Sequence, residues 1–273
     1  MRQVEERYIS LLTDFGFKRI FGTAINKDLL ICFLNSLFDG KQVVKDVSYL
    51  NPEHVGDVYT DRKAIFDVYC EGENGEKFIV EMQNAYQAYF KDRSLFYSTF
   101  PIREQAALLN FDMNEEAFEK EKIRHSVQLC DTATHKVFYD KLELIYVEIA
   151  KFNKSLEELE TLYDKWLYAL KNLYKLTQRP KELCDKVFDR LFEEAEIAKF
   201  TPQELREYEA SKIAYRDIKN SVDTAKREGI AEGMEKKSHE IAKKMLTKGM
   251  NEATVMEITG LPAELIQQLK AEM

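Results

Sequence analysis

The chain has 273 residues, of which 45% are hydrophobic and 32% charged, as in a globular protein large enough for one sizeable domain with a helical extension. Its formal net charge of −8 argues against a uniformly basic nucleic-acid binder, so any DNA contact must come from a local basic surface assisted by metal ions. No apolar run reaches the length of a membrane span, and the N-terminus lacks a signal-peptide core, so we expect a cytoplasmic protein with no membrane contact.

The cysteines and histidines are dispersed and show no spacing typical of a zinc site or of a histidine metalloenzyme. Buried free thiols are therefore expected. The residues concerned are Cys32, Cys70, Cys130, Cys184, His54, His125, His135 and His239.

The first elements are two helices and a strand. A short helix is predicted from Asp14, near its start, to Gly22, which ends it. Apolar residues at helical spacing predict a second helix over about 27–38. Residues 41–50 alternate loosely enough for a first strand, which Pro52 closes because proline cannot donate to a ladder.

Residues 62–85 read as a β-hairpin, because two apolar runs flank a glycine-rich turn. Each run contains an acid: Asp67 lies in the first, and Glu81, followed by Gln83, lies in the second. Carboxylates are rarely buried without a partner. A hairpin with acids in both strands can hold a divalent metal.

The turn decides whether the two acids meet. A two-residue loop ending at Gly75 would put Asp67 and Glu81 on opposite faces, because side chains alternate along a strand. A three-residue loop with Gly75 at positive φ pairs Asp67 with Glu81 and leaves Gln83 on the same face. We predict the three-residue loop.

After the hairpin, the composition of residues 89–109 predicts a long helix, and the acidic residues 111–122 predict a surface connection. Residues 124–129 and 142–149 are strand-like. The second of these is apolar on both faces, which is typical of a strand in the middle of a sheet.

The pattern from Ser155 onward is helical. Ser155 and Glu158 form a capping box before the first of these helices. A second helix is predicted from Pro180 to about Lys199, and a third begins at Thr201 and can extend to Gly229.

The tail from Ser221 carries mixed charge, which indicates a solvated or self-associating helix. Residues 251–270 resemble a small helix-turn-helix, with a turn at Gly260 and a second helix opened by Pro262. That second helix has few residues of the types that read bases, which disfavours sequence readout by this segment.

An acid in one strand, acid-x-Gln in the next and a preceding aromatic helix together resemble the PD-(D/E)XK nuclease superfamily. More narrowly, the chain resembles the recombination-promoting nuclease / transposase family, and the resemblance extends into the helical half. The matching residues are Thr13 to Gly22, Phe33-Leu34-Asn35, Asp67, Glu81-Met82-Gln83, and Arg93 with Tyr97.

The resemblance implies an α/β (α+β) protein with a restriction-endonuclease-like core, in which a central mixed sheet is flanked by helices and followed by a C-terminal helical region. The expected divisions are a nuclease-like core over 1–152, a helical region over 153–220 and a helical tail over 221–273.

The resemblance also implies a metal site. Asp67, Glu81 and the Met82 carbonyl would hold Mg²⁺, or Mn²⁺ as a substitute, because hard oxygen ligands suit these ions. Gln83 stands where the superfamily has a lysine and would orient the attacking water. The positive charge that Gln83 lacks would come from Lys18 or Lys63.

Asp14 would either cap its helix or take part in the metal shell.

The implied activity is Mg²⁺-dependent endonuclease cleavage of DNA in a transposase-like role in recombination. The alternative is a catalytically inactive copy that binds DNA or protein, because the core strand expected after Gln105 is missing or reduced to 106–111. Whether the protein forms a homodimer stays open.

Overall fold

A computed structural model describes most of the chain, which divides into two compact units, Met1–Arg216 and Asp217–Met273. The three-part division expected from the sequence stays a prediction. The described residues are 6–38, 40–50, 53–54, 64–65, 67–84, 95, 105–113 and 118–271.

The described strands of the first unit are β1 (Val47–Tyr49), β2 (Glu53–His54), β3 (Ala64–Ile65), β4 (Val68–Gly72), β5 (Lys77–Gln83), β6 (Gln105–Leu109), β7 (Arg124–Cys130) and β8 (Val137–Glu148).

Six of these strands form one mixed sheet in the order β1-β4-β5-β6-β8-β7, and β2 and β3 form a separate antiparallel pair. The strands β5, β6 and β8 are parallel, and the remaining neighbours are antiparallel. Where they pair in parallel, these strands are mostly apolar on both faces, as expected where both faces are covered, and Glu81 is an exception. The sheet is the mixed sheet that the sequence predicted.

The strand β6 corrects the sequence reading of this region. Residues 105–109 were expected to end a helix, but they form a strand between β5 and β8. The core strand that seemed lost after Gln105 is therefore present at the centre of the sheet. The rest of the predicted helix 89–109, apart from Leu95, lies outside the described residues, as do Arg93 and Tyr97.

In the part of the first unit that the structure describes, two helices precede the sheet and two follow it before the long C-terminal helix, and their apolar stripes share one core with the sheet. At its centre, the Trp166 ring lies 5.7 Å from that of Phe21 and 5.6 Å from that of Phe33. These contacts fix the first two helices against the third. The helices are α1 (Asp14–Phe21), α2 (Lys27–Phe38), α3 (Leu162–Asn172) and α4 (Lys186–Glu194).

Several local predictions need correction. The Ser155 capping box exists, but it closes a 3₁₀ turn, and α3 begins after Thr161 instead. Of the predicted helix 180–199 only α4 is an α-helix. In the predicted surface connection 111–122, Met113 is buried. Cysteines are free as expected, but two of them are exposed, namely Cys130 and Cys184.

The helix α5 (Pro202–Thr247) continues well past the predicted end at Gly229. Its residues 216–237 are exposed. In the second unit the end of α5 packs with α6 (Glu252–Thr259) and α7 (Ala263–Ala271). Gly260, at a φ of 69°, ends α6 in the left-handed conformation. The buried residues of this small core are Ala242, Met245, Val255, Ile266 and Leu269.

Within the described part of the chain, no single helix is long and apolar enough to cross a membrane. The pair Asp14–Phe21 and Ala24–Phe38, bent by 64°, meets that test on combined length and composition.

Candidate active site

The β4–β5 hairpin has the predicted register. Its pairing runs from Val68 opposite Val80 towards a three-residue loop, and the loop ends at Gly75 with a φ of 80°. Continuing this register by one residue places Asp67 opposite Glu81. Directly opposed residues share a face of the sheet, so the hairpin presents both acids on one side.

Asp67 lies immediately before β4, and backbone and side-chain groups fix its carboxylate. Its Oδ2 accepts a 2.8 Å hydrogen bond from the Met82 backbone N–H. Its Oδ1 lies 3.7 Å from Lys18 Nζ. Burial raises the pKa of Asp67 above its ordinary value, and the Met82 hydrogen bond and the Lys18 charge offset only part of that effect. Asp67 is thus a desolvated carboxylate beside a cation.

Lys18 joins α1 to the hairpin. Its Nζ lies 2.7 Å from Asp14 Oδ1, one helical turn earlier, as well as near Asp67. Burial alone would lower the pKa of Lys18, but the two carboxylates more than compensate and raise it. Lys18 therefore stays a cation at the edge of the site. The other lysine considered for this charge, Lys63, lies outside the described residues.

The start of α1 differs from the expectation in one respect. Thr13 caps this helix by accepting a 3.1 Å hydrogen bond from the Gly16 N–H, so Asp14 is the first helical residue and not the cap. The Asp14 side chain is largely exposed and engages Lys18.

The second half of the motif lies on β5. Glu81 is 3% exposed and pairs with Ala107 of β6, which places this carboxylate in the interior of the sheet. Met82 points into the main core, and its N–H is used by Asp67. Gln83 is half-buried at the end of the strand, and its C=O accepts a 2.9 Å hydrogen bond from the Asn110 N–H.

The donor set is compatible with Mg²⁺. Among the described residues, no group of three His, Cys, Asp or Glu side chains could hold a metal ion, so the candidate site is a carboxylate pair, Asp67 and Glu81. Mg²⁺ is commonly bound through one or two carboxylates, with waters and substrate phosphate completing its shell. Asp67, just before β4, and Glu81, on the neighbouring strand β5, meet that requirement.

The structure adds two asparagines that the sequence reading missed. Asn84 Nδ2 donates a 2.9 Å hydrogen bond to the Leu12 C=O, which ties the end of β5 to the segment before α1. Its Oδ1 is buried and has no hydrogen-bond partner in the described structure. Asn110 Nδ2 donates to the Tyr215 hydroxyl at 3.1 Å. Their only sequence signal is a polar residue directly after an apolar strand.

The second unit carries a local basic surface on the last turns of α5. Its exposed residues include five lysines, interspersed with Glu235 and Glu240, and α7 presents Gln267, Gln268 and Lys270 at its surface. Lys270 pairs with Glu252 of α6 at 2.6 Å. The lysines of this surface are Lys236, Lys237, Lys243 and Lys244 on the last turns of α5 and Lys248 just after its end. Two of them are paired with acids of the same helix: Lys236 with Glu232 at 2.6 Å and Lys237 with Glu240 at 3.3 Å.

A mixed sheet flanked by helices, with an acid before one hairpin strand and acid-x-Gln in the next, defines a restriction-endonuclease-like α/β protein. Comparison with family models agrees: residues 11–225 match PD-(D/E)XK nuclease family transposase. The chain belongs to this family. Residues 235–271 match the Rpn/YhgA-like nuclease family, C-terminal HTH domain, which confirms the helix-turn-helix predicted there. Searches of curated proteins and of solved structures give no match.

Proposed function

We propose that this protein is a cytoplasmic, Mg²⁺-dependent DNA endonuclease that hydrolyses phosphodiester bonds in a transposase-like role in recombination. The observation that supports this proposal is the hairpin register, which brings Asp67 and Glu81 to one face beside Lys18. Like charges directly opposite each other are unfavourable, so such a pair is suited to binding a cation.

In this proposal Asp67 and Glu81 hold the metal, together with the Met82 carbonyl. Mn²⁺ is the proposed substitute for Mg²⁺, because it accepts the same oxygen ligands. The bound ion supplies a water of lowered pKa and positive charge against the phosphate.

The chain's own residues prepare this site. The Met82 N–H holds Asp67 Oδ2, while Asp67 Oδ1 lies 3.7 Å from Lys18 Nζ. Gln83 can hydrogen-bond a water molecule but brings no charge. Lys18 supplies the positive charge that a lysine at position 83 would otherwise give, and its pairing with Asp14 limits its motion.

DNA binding is assigned to the helix-turn-helix unit. The lysines at the end of α5 would contact phosphates, which explains how an acidic protein can bind a polyanion. With few base-reading side chains on α7, phosphate contacts would dominate, and binding should weaken strongly as salt is raised.

The alternative is an inactive copy that only binds DNA or protein, and the main argument for it no longer holds. It depended on a missing core strand, and β6 fills that place in the sheet. Backbone groups of β5 and β8 that would otherwise be exposed are paired with β6.

The test is nicking of supercoiled plasmid by purified protein with Mg²⁺, with Mn²⁺ or with chelator. Asp67→Asn and Glu81→Gln preserve size and should each lower the nicking rate by at least about 100-fold. The matched control is Asp131→Asn, which changes an exposed acid in the β7–β8 turn and should leave the rate unchanged. Metal-independent nicking, or equal nicking by folded Asp67→Asn protein, would refute the proposal.

A further inference from the structure

One face of α5 carries hydroxyl groups that bind the elements around the candidate site. The Tyr208 hydroxyl accepts a 2.9 Å hydrogen bond from the Ser10 N–H, and Ser211 Oγ accepts a 3.1 Å hydrogen bond from the Phe15 N–H. Tyr215 accepts from Asn110 beyond β6. Positions 208, 211 and 215 have the spacing of one helical face, so a single helix contacts all three points.

The bond from Ser211 satisfies a group that α1 cannot satisfy itself. The first N–H groups of a helix have no partner within it. Thr13 accepts the Gly16 N–H through its side chain and the Phe17 N–H through its C=O. The Phe15 N–H instead finds its acceptor on a helix far along the chain. The start of α1 is thereby held at a fixed position against α5.

This position matters because α1 carries Lys18. One helical turn separates Phe15 from Lys18, whose Nζ is 3.7 Å from Asp67 Oδ1. A further ion pair between α1 and α5, Arg19 with Glu204, fixes the same helix. A small displacement of α1 would therefore change the distance between the Lys18 charge and the acid, and displacements of about 1 Å can cost about 100-fold in rate.

We propose that Ser211 is a positioning residue that acts through α1 to hold Lys18 at its working distance from Asp67. This inference rests on the proposed nuclease function. The contact through which Ser211 acts is the hydrogen bond from the Phe15 N–H.

The test is a double-mutant cycle in the plasmid-nicking assay. Ser211→Ala should lower kcat by about 10-fold at unchanged KM, and Ser211→Thr, which keeps the acceptor, should restore it. In a Lys18→Met background, Ser211→Ala should have no further effect, because the residue it positions is gone. The control is Ser221→Ala, the same substitution at an exposed position of the same helix, which should change nothing.

A purely structural role gives a different result. Equal rate losses in the wild-type and Lys18→Met backgrounds would overturn the proposal. Hydrogen exchange provides a readout that does not need activity: Ser211→Ala should speed exchange of the Phe15 amide, and unchanged exchange would also overturn it. A wild-type protein that does not nick DNA would instead refute the proposed function, so the two failures are distinguishable.

Discussion

Replacing Asp67 with asparagine should stabilise the protein at pH 7 while abolishing the proposed activity. The Asp67 carboxylate is held in a desolvated position, which raises its pKa. Asparagine has the same shape, and its amide oxygen can still accept the N–H of Met82. The interaction lost is the 3.7 Å contact with Lys18, whose side chain is 40% exposed.

The burial of Asp67 and its contact with Lys18 set the sign and size of the expected change in the free energy of unfolding. An acid whose folded pKa lies above its unfolded value contributes stability that is fully present below the unfolded pKa and is lost as pH rises through the folded pKa. At pH 7 the ionised Asp67 is therefore a net cost. The Lys18 contact offsets less than about 1 kcal/mol. Removing the charge should gain about 1 kcal/mol, or about 2–4 °C in Tm for a unit of this size.

The assay is thermal unfolding of wild-type and Asp67→Asn protein at pH 7 and at pH 3.5. The gain should be present at pH 7 and shrink towards pH 3.5, where the wild-type carboxyl is mostly protonated in both the folded and the unfolded state. Asp131→Asn is the control, and it should lower the Tm at pH 7 where Asp67→Asn raises it. The reason is that the hydrogen bond from the Thr134 backbone lowers the pKa of Asp131, so its ionised form stabilises the fold. A lower Tm for Asp67→Asn at pH 7, or a gain independent of pH, would refute the reasoning.

Two further predictions concern stability. Gly75→Ala should lower the free energy of unfolding in urea by about 1–2 kcal/mol, because the φ of 80° strains any residue with a Cβ. The control Gly229→Ala lies in an exposed stretch of helix with open space around it and should instead raise the free energy of unfolding by about 1 kcal/mol. Equal effects of the two substitutions would contradict the turn assignment. Glu148→Ala should cost about 3 kcal/mol, since the buried carboxylate accepts from the Met113 N–H at 2.6 Å and from Lys151 at 2.7 Å; a loss below about 1 kcal/mol would show that these groups find water instead.

Features set by local chemistry were predictable from the sequence. The hairpin register followed from the need for positive φ at Gly75, and the bounds of α2 followed from its apolar stripe. The β6 segment was mistaken for helix because its alanines and leucines favour helices. Burial between two parallel strands overrides that propensity, and a single sequence does not reveal those neighbours.

The candidate site likewise has one part that could be predicted from the sequence and one part that could not. The pairing of Asp67 with Glu81 could be counted through one turn. The positions of Lys18, Asn84 and Ser211 could not, because each acts through contacts between segments distant in sequence. Such contacts leave no periodic pattern in the chain, since they depend on how whole elements pack.

The central position of β6 also has a consequence for the order of folding. The hairpin that opposes Asp67 to Glu81 closes a short loop and can form early. The strand β6 pairs Ala106 with Val80 on one side and with Ile145 on the other, so its insertion requires the closure of two long loops. We therefore expect the two acids to be brought together before the sheet that buries Glu81 is complete, and the docking of β6 to be slower than formation of the hairpin.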